Sequence, residues 1–143
     1  MFEPVSSCEL EIRVRYAECD PMGFVHHSKY FEYFEMGRTE LLRAAGFRYR
    51  DLEEKGVLFV VARTACTFRR PARYDDLLKL EVRIIRQTRA RIDHEYKLLR
   101  DGVVLCEATT VLACVDRTGR PIAIPEEIAP PPGVSTKPAG NRV

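Results

Sequence analysis

A chain of 143 residues, 45% hydrophobic and 31% charged, has the length of one domain and the balance of an ordinary globular protein. That excludes wholesale disorder, a collagen-like fibre and a two-domain enzyme. The 23 Lys and Arg against 21 Asp and Glu leave a formal charge of +2, too near balance for nucleic-acid binding by bulk electrostatics, so no nucleic-acid partner is expected.

Cys8, Leu10, Ile12, Val14 and Tyr16 alternate with Glu9, Glu11, Arg13 and Arg15, which predicts a strand with one buried and one charged face. From Ser28 to Ala45 the apolar residues Tyr30, Phe31, Tyr33, Phe34, Leu41, Leu42 and Ala45 fall at helical spacing. No proline interrupts them, and Gly46 stands where a C-terminal cap belongs. Aromatics crowd the first two turns, so this helix is expected to be embedded in a sheet. Val57 to Phe68 and Val103 to Val115 are β-branched and apolar. Between them, Leu78, Leu80, Val82 and Ile84 alternate with charged residues, as do Ile92, His94, Tyr96 and Leu98. Asp101-Gly102 between the last two patterns is a hairpin signal. Strands are therefore expected in succession from about residue 57 to residue 116, as an antiparallel meander, with a short extension at Ile122-Ala123-Ile124-Pro125. Residues 130–143, rich in Pro, Gly, Ser and Lys, read as a flexible tail behind a domain at 1–129.

The order βαββββ is that of an α+β fold, an antiparallel five-stranded sheet around one central helix. A parallel α/β fold needs a helix between successive strands. One sheet around one helix leaves an exposed edge strand and a half-covered helix. Pairing two copies edge to edge across a two-fold axis covers both. No stretch approaches the ~18 apolar residues of a membrane span. Met1-Phe2-Glu3-Pro4 lacks the basic start and apolar run of a signal peptide, so a cytoplasmic chain without membrane insertion is expected. Cys8, Cys19, Cys66, Cys106 and Cys114 are odd in number, include no CxxC pair and read as reduced thiols.

The segment from Tyr16 to Ser28 holds a carboxylate (Asp20), a thiol (Cys19), a glycine (Gly23) and two imidazoles (His26, His27) just before a helix N-terminus. Free N–H groups and a partial positive charge gather there, which suits a polarised carbonyl or an oxyanion. A carboxylate within reach of such a terminus supplies a nucleophile or base together with an oxyanion donor.

Asp20-Pro21-Met22-Gly23-Phe24-Val25-His26-His27-Ser28-Lys29-Tyr30-Phe31 resembles the signature of hotdog-fold acyl-CoA thioesterases. The branch it resembles holds 4-hydroxybenzoyl-CoA thioesterase and the Tol–Pal-associated thioesterase. Phe34-Glu35-Met36-Gly37-Arg38-Thr39-Glu40 is similar to the continuation of that family's helix. Phe68-Arg69-Arg70-Pro71-Ala72-Arg73-Tyr74-Asp75-Asp76 is similar to its turn into the third strand, with Asp75 where Gly is common. Val115-Asp116-Arg117-Thr118-Gly119-Arg120-Pro121, with Ile124-Pro125, is similar to its last strand end.

The resemblance implies hydrolysis of acyl-CoA to free acid and coenzyme A, with no metal or organic cofactor, coenzyme A being part of the substrate. It implies that Asp20 attacks the thioester carbonyl or activates the attacking water. It implies that the His27 backbone N–H polarises the carbonyl, and that Gly23 lets the backbone approach the ligand. Dimers, often paired into tetramers, with sites at the dimer interface, are implied as well. Cys19 stands where Thr is frequent in the Tol–Pal branch, and His26 where Tyr is frequent.

Plainer readings stand beside these. Asp20 before proline also suits a turn, and His27 a helix cap. Val25, His26, Tyr30, Phe34, Phe59 and Val61 line a substrate pocket or pack the core. His94 reads as a satisfied core histidine. A Cys19–His27 nucleophile needs an imidazole close in space, and a metal site from Asp20, Cys19, His26 and His27 lacks regular spacing. Glu32 and Glu35 read as a charged helix stripe. Arg86, Arg89 and Arg91 form a basic turn, either a solvated hairpin or a clamp for coenzyme A phosphates. Arg69, Arg70 and Arg73 form a second cluster. The competing functions are a non-catalytic acyl-CoA-binding sensor or scaffold on the same fold, and a hotdog dehydratase, whose His-containing strand motif with a downstream helix acid is not found. Aromatic and short aliphatic acyl groups both stay open, as does acyl carrier protein as the carrier.

Overall fold

The computed structural model describes residues 5–128; the tail expected at 130–143 lies outside them. Strand β1 spans Ser7–Arg13, and a single 3-10 turn follows at Tyr16–Glu18. Helix α1 spans His27–Ala44 and α2 Tyr49–Glu54. Strands β2 (Leu58–Phe68), β3 (Leu77–Gln87), β4 (Ile92–Arg100), β5 (Val103–Val115) and the short β6 (Pro121–Ile122) complete the chain.

Local signals placed the elements well. The α1 C-terminus closes as expected at Gly46: its N–H donates to the Arg43 carbonyl at 2.9 Å, and the Phe47 N–H to the Leu42 carbonyl at 3.1 Å. Asp101 and Gly102 both take positive φ, as a tight two-residue hairpin requires, and Arg100 pairs with Val103 across it. The alternating residues of β3 and β4 point inward as read: Leu78, Leu80, Val82, Ile92, Tyr96 and Leu98 are buried. Helix α2 had no periodic signal, since six residues are under two turns; it is held by the buried Leu52. At the far end β6 matches the expected extension, with Ile122 opposite Cys114.

The strand order is β1-β3-β4-β5-β2, all antiparallel. This corrects the meander, which holds only for β3, β4 and β5. β1 already occupies the outer flank of β3, from Ser7 opposite Arg83 to Arg13 opposite Leu77. The open flank left to β2 is that of β5, where Leu58 faces Val115 and Phe68 faces Cys106. Alternation tells which side chains face inward, not which strand lies beside which.

Helix α1 lies against the sheet half-covered, as one sheet around one helix requires. Its buried residues Tyr30, Tyr33, Phe34, Gly37 and Leu41 form one stripe, packed on β1 and β3, while Phe31 and Met36 stay exposed. One sheet covers one side of a helix, and the other side stays open in the single chain. A second buried cluster joins Leu52, Ile92, Leu112, Cys114, Ile124 and Ile128.

Candidate active site

Asp20 opens a turn that its own side chain locks. Oδ1 accepts the Met22 N–H at 2.9 Å and the Phe24 N–H at 3.2 Å. Along the backbone, Asp20 N–H donates to the Phe24 carbonyl at 2.7 Å and Gly23 N–H to the Asp20 carbonyl at 2.9 Å. Gly23 sits at φ +84°, the left-handed region where a side chain is strained. One Asp20 oxygen is anchored, and the other, Oδ2, takes no hydrogen bond from the described residues.

The loop is seated on its neighbours. Val25, 4% exposed, donates its N–H to the Ala72 carbonyl at 2.8 Å, Phe24 bridges to Arg73, and the Arg73 guanidinium lies 5.0 Å over the Phe24 ring. The hydroxyl of buried Tyr30 accepts the Ala72 N–H at 3.4 Å, so Tyr30 supports the loop from the core.

His26 is the N-cap of α1: its Nδ1 accepts the Ser28 N–H at 3.2 Å and lies 2.8 Å from Ser28 Oγ. The cap role weighed for His27 thus belongs to His26. The two rings lie 4.2 Å apart and both residues are exposed. Lys29 N–H turns back to the His26 carbonyl at 2.9 Å, whereas the His27 N–H has no partner among the described residues. It is an unspent donor at the positive end of an 18-residue helix.

Cys19 Sγ donates to the Arg15 carbonyl at 3.9 Å, and burial with the adjacent Asp20 and Glu18 carboxylates pushes its thiol up, against thiolate chemistry. Among the described residues no three His, Cys, Asp or Glu side chains gather to hold a metal ion. Two residues before Asp20, Glu18 is buried, and its carboxylate accepts the Tyr33 hydroxyl at 2.9 Å. Neither Glu18 nor Tyr33 stood out in the sequence. The only signal was an acid at a strand end and an aromatic among many.

A groove of about 250 Å³ opens between α1 and β2, lined by Phe31, Glu32, Phe34, Glu35, Arg38, Val61, Thr64 and Thr110. Phe34 and Val61 meet there as pocket residues, together with Glu32 and Glu35, read as a solvated stripe. Phe59 instead packs its ring 5.5 Å from Tyr49 beside the second core cluster. Asp20, Gly23, Val25, His26 and His27 do not line the groove.

His94 is in the core, as expected, but it is not satisfied: its Nδ1 has no partner among the described residues. Among the basic residues, Arg91 is bound by both oxygens of Asp93 at 2.7 Å, and Arg89 is held by the Ile124 carbonyl at 2.7 Å and Glu126 at 3.1 Å. Arg69 pairs with Glu107 at 2.7 Å. Arg70 and Arg86 are exposed with no acidic partner among the described residues.

The antiparallel sheet carrying one long helix is the hotdog fold, the class to which the molecule belongs. Residues 14–131 match the thioesterase-like superfamily. The chain belongs to that family and is an enzyme of the thioester hydrolases. It is 38% identical over 119 residues to the acyl-CoA thioesterase YbgC of Haemophilus influenzae, covering 82% of this chain and 88% of that one. The solved structure of a Thermus thermophilus protein matches with TM-score 0.81 and 37% identity, covering 86% of this chain and 92% of that one. A DHNA-CoA thioesterase from Staphylococcus aureus matches with TM-score 0.80 and 28% identity, covering 82% and 80% respectively. No helix among the described residues is long and apolar enough to cross a membrane.

Proposed function

We propose that this chain hydrolyses acyl-CoA thioesters to the free acid and coenzyme A, as a cytoplasmic enzyme of the 4-hydroxybenzoyl-CoA and Tol–Pal-associated branch. The observation that carries the reading is Asp20, held by two backbone N–H groups through Oδ1 with Oδ2 uncommitted, in the loop that ends on the unspent His27 N–H. Oδ2 either adds to the thioester carbonyl, expelling the thiolate and leaving a mixed anhydride that water cleaves, or takes the proton of the water that adds. Both routes put negative charge on the carbonyl oxygen, and the His27 N–H accommodates it; such a donor contributes roughly 3–4 kcal/mol. No metal or organic cofactor enters either route. Arg70 and Arg86, without carboxylate partners among the described residues, are the proposed phosphate contacts.

The proposed working unit is a dimer, paired further into a tetramer. β2 is the sheet's long apolar edge, with Val60 40% and Val61 46% exposed, and the open side of α1 lies next to the groove beside it. A two-fold pairing there would close the groove and bring one copy's Asp20 loop near the other's helix.

The test is thiol release across acyl-CoAs of varied length and aromaticity, with Asp20→Asn alongside. The expected outcome is turnover by the wild type and a loss of about 10²–10⁴-fold in Asp20→Asn. Tight acyl-CoA binding without thiol release would make the chain a sensor instead.

A further inference from the structure

Glu18 is the only buried carboxylate among the described residues, and the chemistry above gives it no task. We infer that Glu18 is a positioning residue that registers the Asp20 loop against the start of α1 by gripping Tyr33. The inference rests on the thioesterase reading.

The geometry joins three parts of the molecule through one residue. Oε1 accepts the Arg15 N–H at 2.7 Å, two residues past the end of β1, and the Tyr33 hydroxyl at 2.9 Å. Oε2 accepts Nε and Nη2 of Arg15 at 3.3 and 3.2 Å. The Glu18 main-chain carbonyl accepts the N–H of His26, the helix N-cap, at 2.9 Å. Most of these bonds stay within the turn, but the Tyr33 bond reaches from the loop to the core face of the helix. Tyr33 is 1% exposed, so packing fixes its hydroxyl and the hydroxyl fixes Glu18.

Asp20 follows two residues later, with Cys19 bridged to Val25 between the two arms of the loop. The carboxylate of Asp20 and the N–H of His27 sit on opposite arms, and Glu18 touches both arms through its side chain and its carbonyl. A small shift between a catalytic group and its oxyanion donor is enough to cost rate.

A role in stability alone does not account for this arrangement. Burying a carboxylate carries a desolvation cost that an apolar pair of the same size avoids, and registry is the best-attested reason to keep such a group. Burial pushes the Glu18 carboxyl up, but the Arg15 N–H, the Tyr33 hydroxyl and the Arg15 guanidinium outweigh it and hold the group below the ordinary carboxylate range. The tie is therefore ionic across the neutral range, with Tyr33, raised by burial and by Glu18, always the donor.

The experiment compares Glu18→Gln, Tyr33→Phe and the double variant in the full chain by thiol release, beside wild type, Asp20→Asn and Leu52→Ala. In each single variant kcat is expected to fall about tenfold while KM stays within about twofold. The double variant should fall no further than the weaker single one, because both cut one tie. Leu52→Ala opens a cavity in the second core cluster and should lower Tm without lowering kcat at room temperature. Should Glu18→Gln not fold, Tyr33→Phe decides alone, since it removes one oxygen and keeps the ring.

Wild-type kcat in Tyr33→Phe overturns the inference. So do multiplying losses in the double variant, and a kcat that merely tracks Tm across the set, Leu52→Ala included. A wild type that releases no thiol, or an Asp20→Asn variant that is fully active, overturns the thioesterase reading and this inference with it.

Discussion

His94 lies on the inward face of β4, 3% exposed, with Thr110 opposite it and the Tyr96 ring stacked 6.1 Å away. Burial, and then the Arg38 charge, push it down from 6.5 to about 3, with Asp93 pulling weakly the other way. The unfolded chain thus takes up a proton near pH 6.5 that the folded chain refuses until about pH 3. Protons favour unfolding across that window, so stability is full above about pH 6.5 and is lost as pH falls toward 3. Urea unfolding at pH 7 and pH 4.5 should show wild type losing about 2–3 kcal/mol more than His94→Leu between the two values. Equal losses would show that His94 is not the group responsible. At this scale the sequence revealed what is local. Asp20 and Gly23 act within a few residues of themselves, and their roles follow from turn chemistry, while the cap weighed for His27 falls one residue earlier, on His26. Glu18 and Tyr33 lie 15 positions apart, and no period links them.

Helix α1 and its seat on β3 show the same division one level up. The period of the aromatics and the cap at Gly46 located the helix to within a residue of its observed ends. Gly37, mid-helix and unremarkable in the pattern, is a point of close approach between helix and sheet. A Cβ there would lie 2.7 Å from Leu80 Cδ2 and 3.5 Å from Val82. Leu80 is fully buried, so its Cδ2 can move aside only by displacing packed core neighbours. Alanine would gain about 1 kcal/mol of helix propensity and lose more to overpacking. Gly37→Ala is therefore expected to lower Tm by roughly 2–6 °C, measured by thermal melting. A rise in Tm would mean that propensity dominates and the contact is soft.

For the whole molecule, the decisive fact is the position of β2. Though apolar and β-branched in sequence, it forms an edge, exposed along most of its length. The other edge, β1, is short and bears Glu9, Glu11 and Arg13 on its exposed face, which discourages further pairing. If two copies join along β2, a lysine at Val60 should separate them. Light scattering is expected to give two or four chains for wild type and one for Val60→Lys, with thiol release falling in step. A Val60→Lys protein of unchanged mass would place the interface elsewhere.

The sequence by itself determined the class of fold, the place of the strands, the ends of the long helix, the two-residue hairpin, and the loop that carries Asp20 and His27, though β1 stops at Arg13 where alternation ran on to Tyr16. Each is written in contacts between near neighbours, where period, turn chemistry and capping leave few choices. Only the tertiary structure decided that β2 leaves the meander to flank β5, that Arg89 and Arg91 are already engaged, and that Glu18 is gripped by Tyr33. These depend on which flank is vacant, which carboxylate reaches which guanidinium, and how closely helix and sheet approach. Such facts belong to distances across the fold, and residue order along the chain does not contain them.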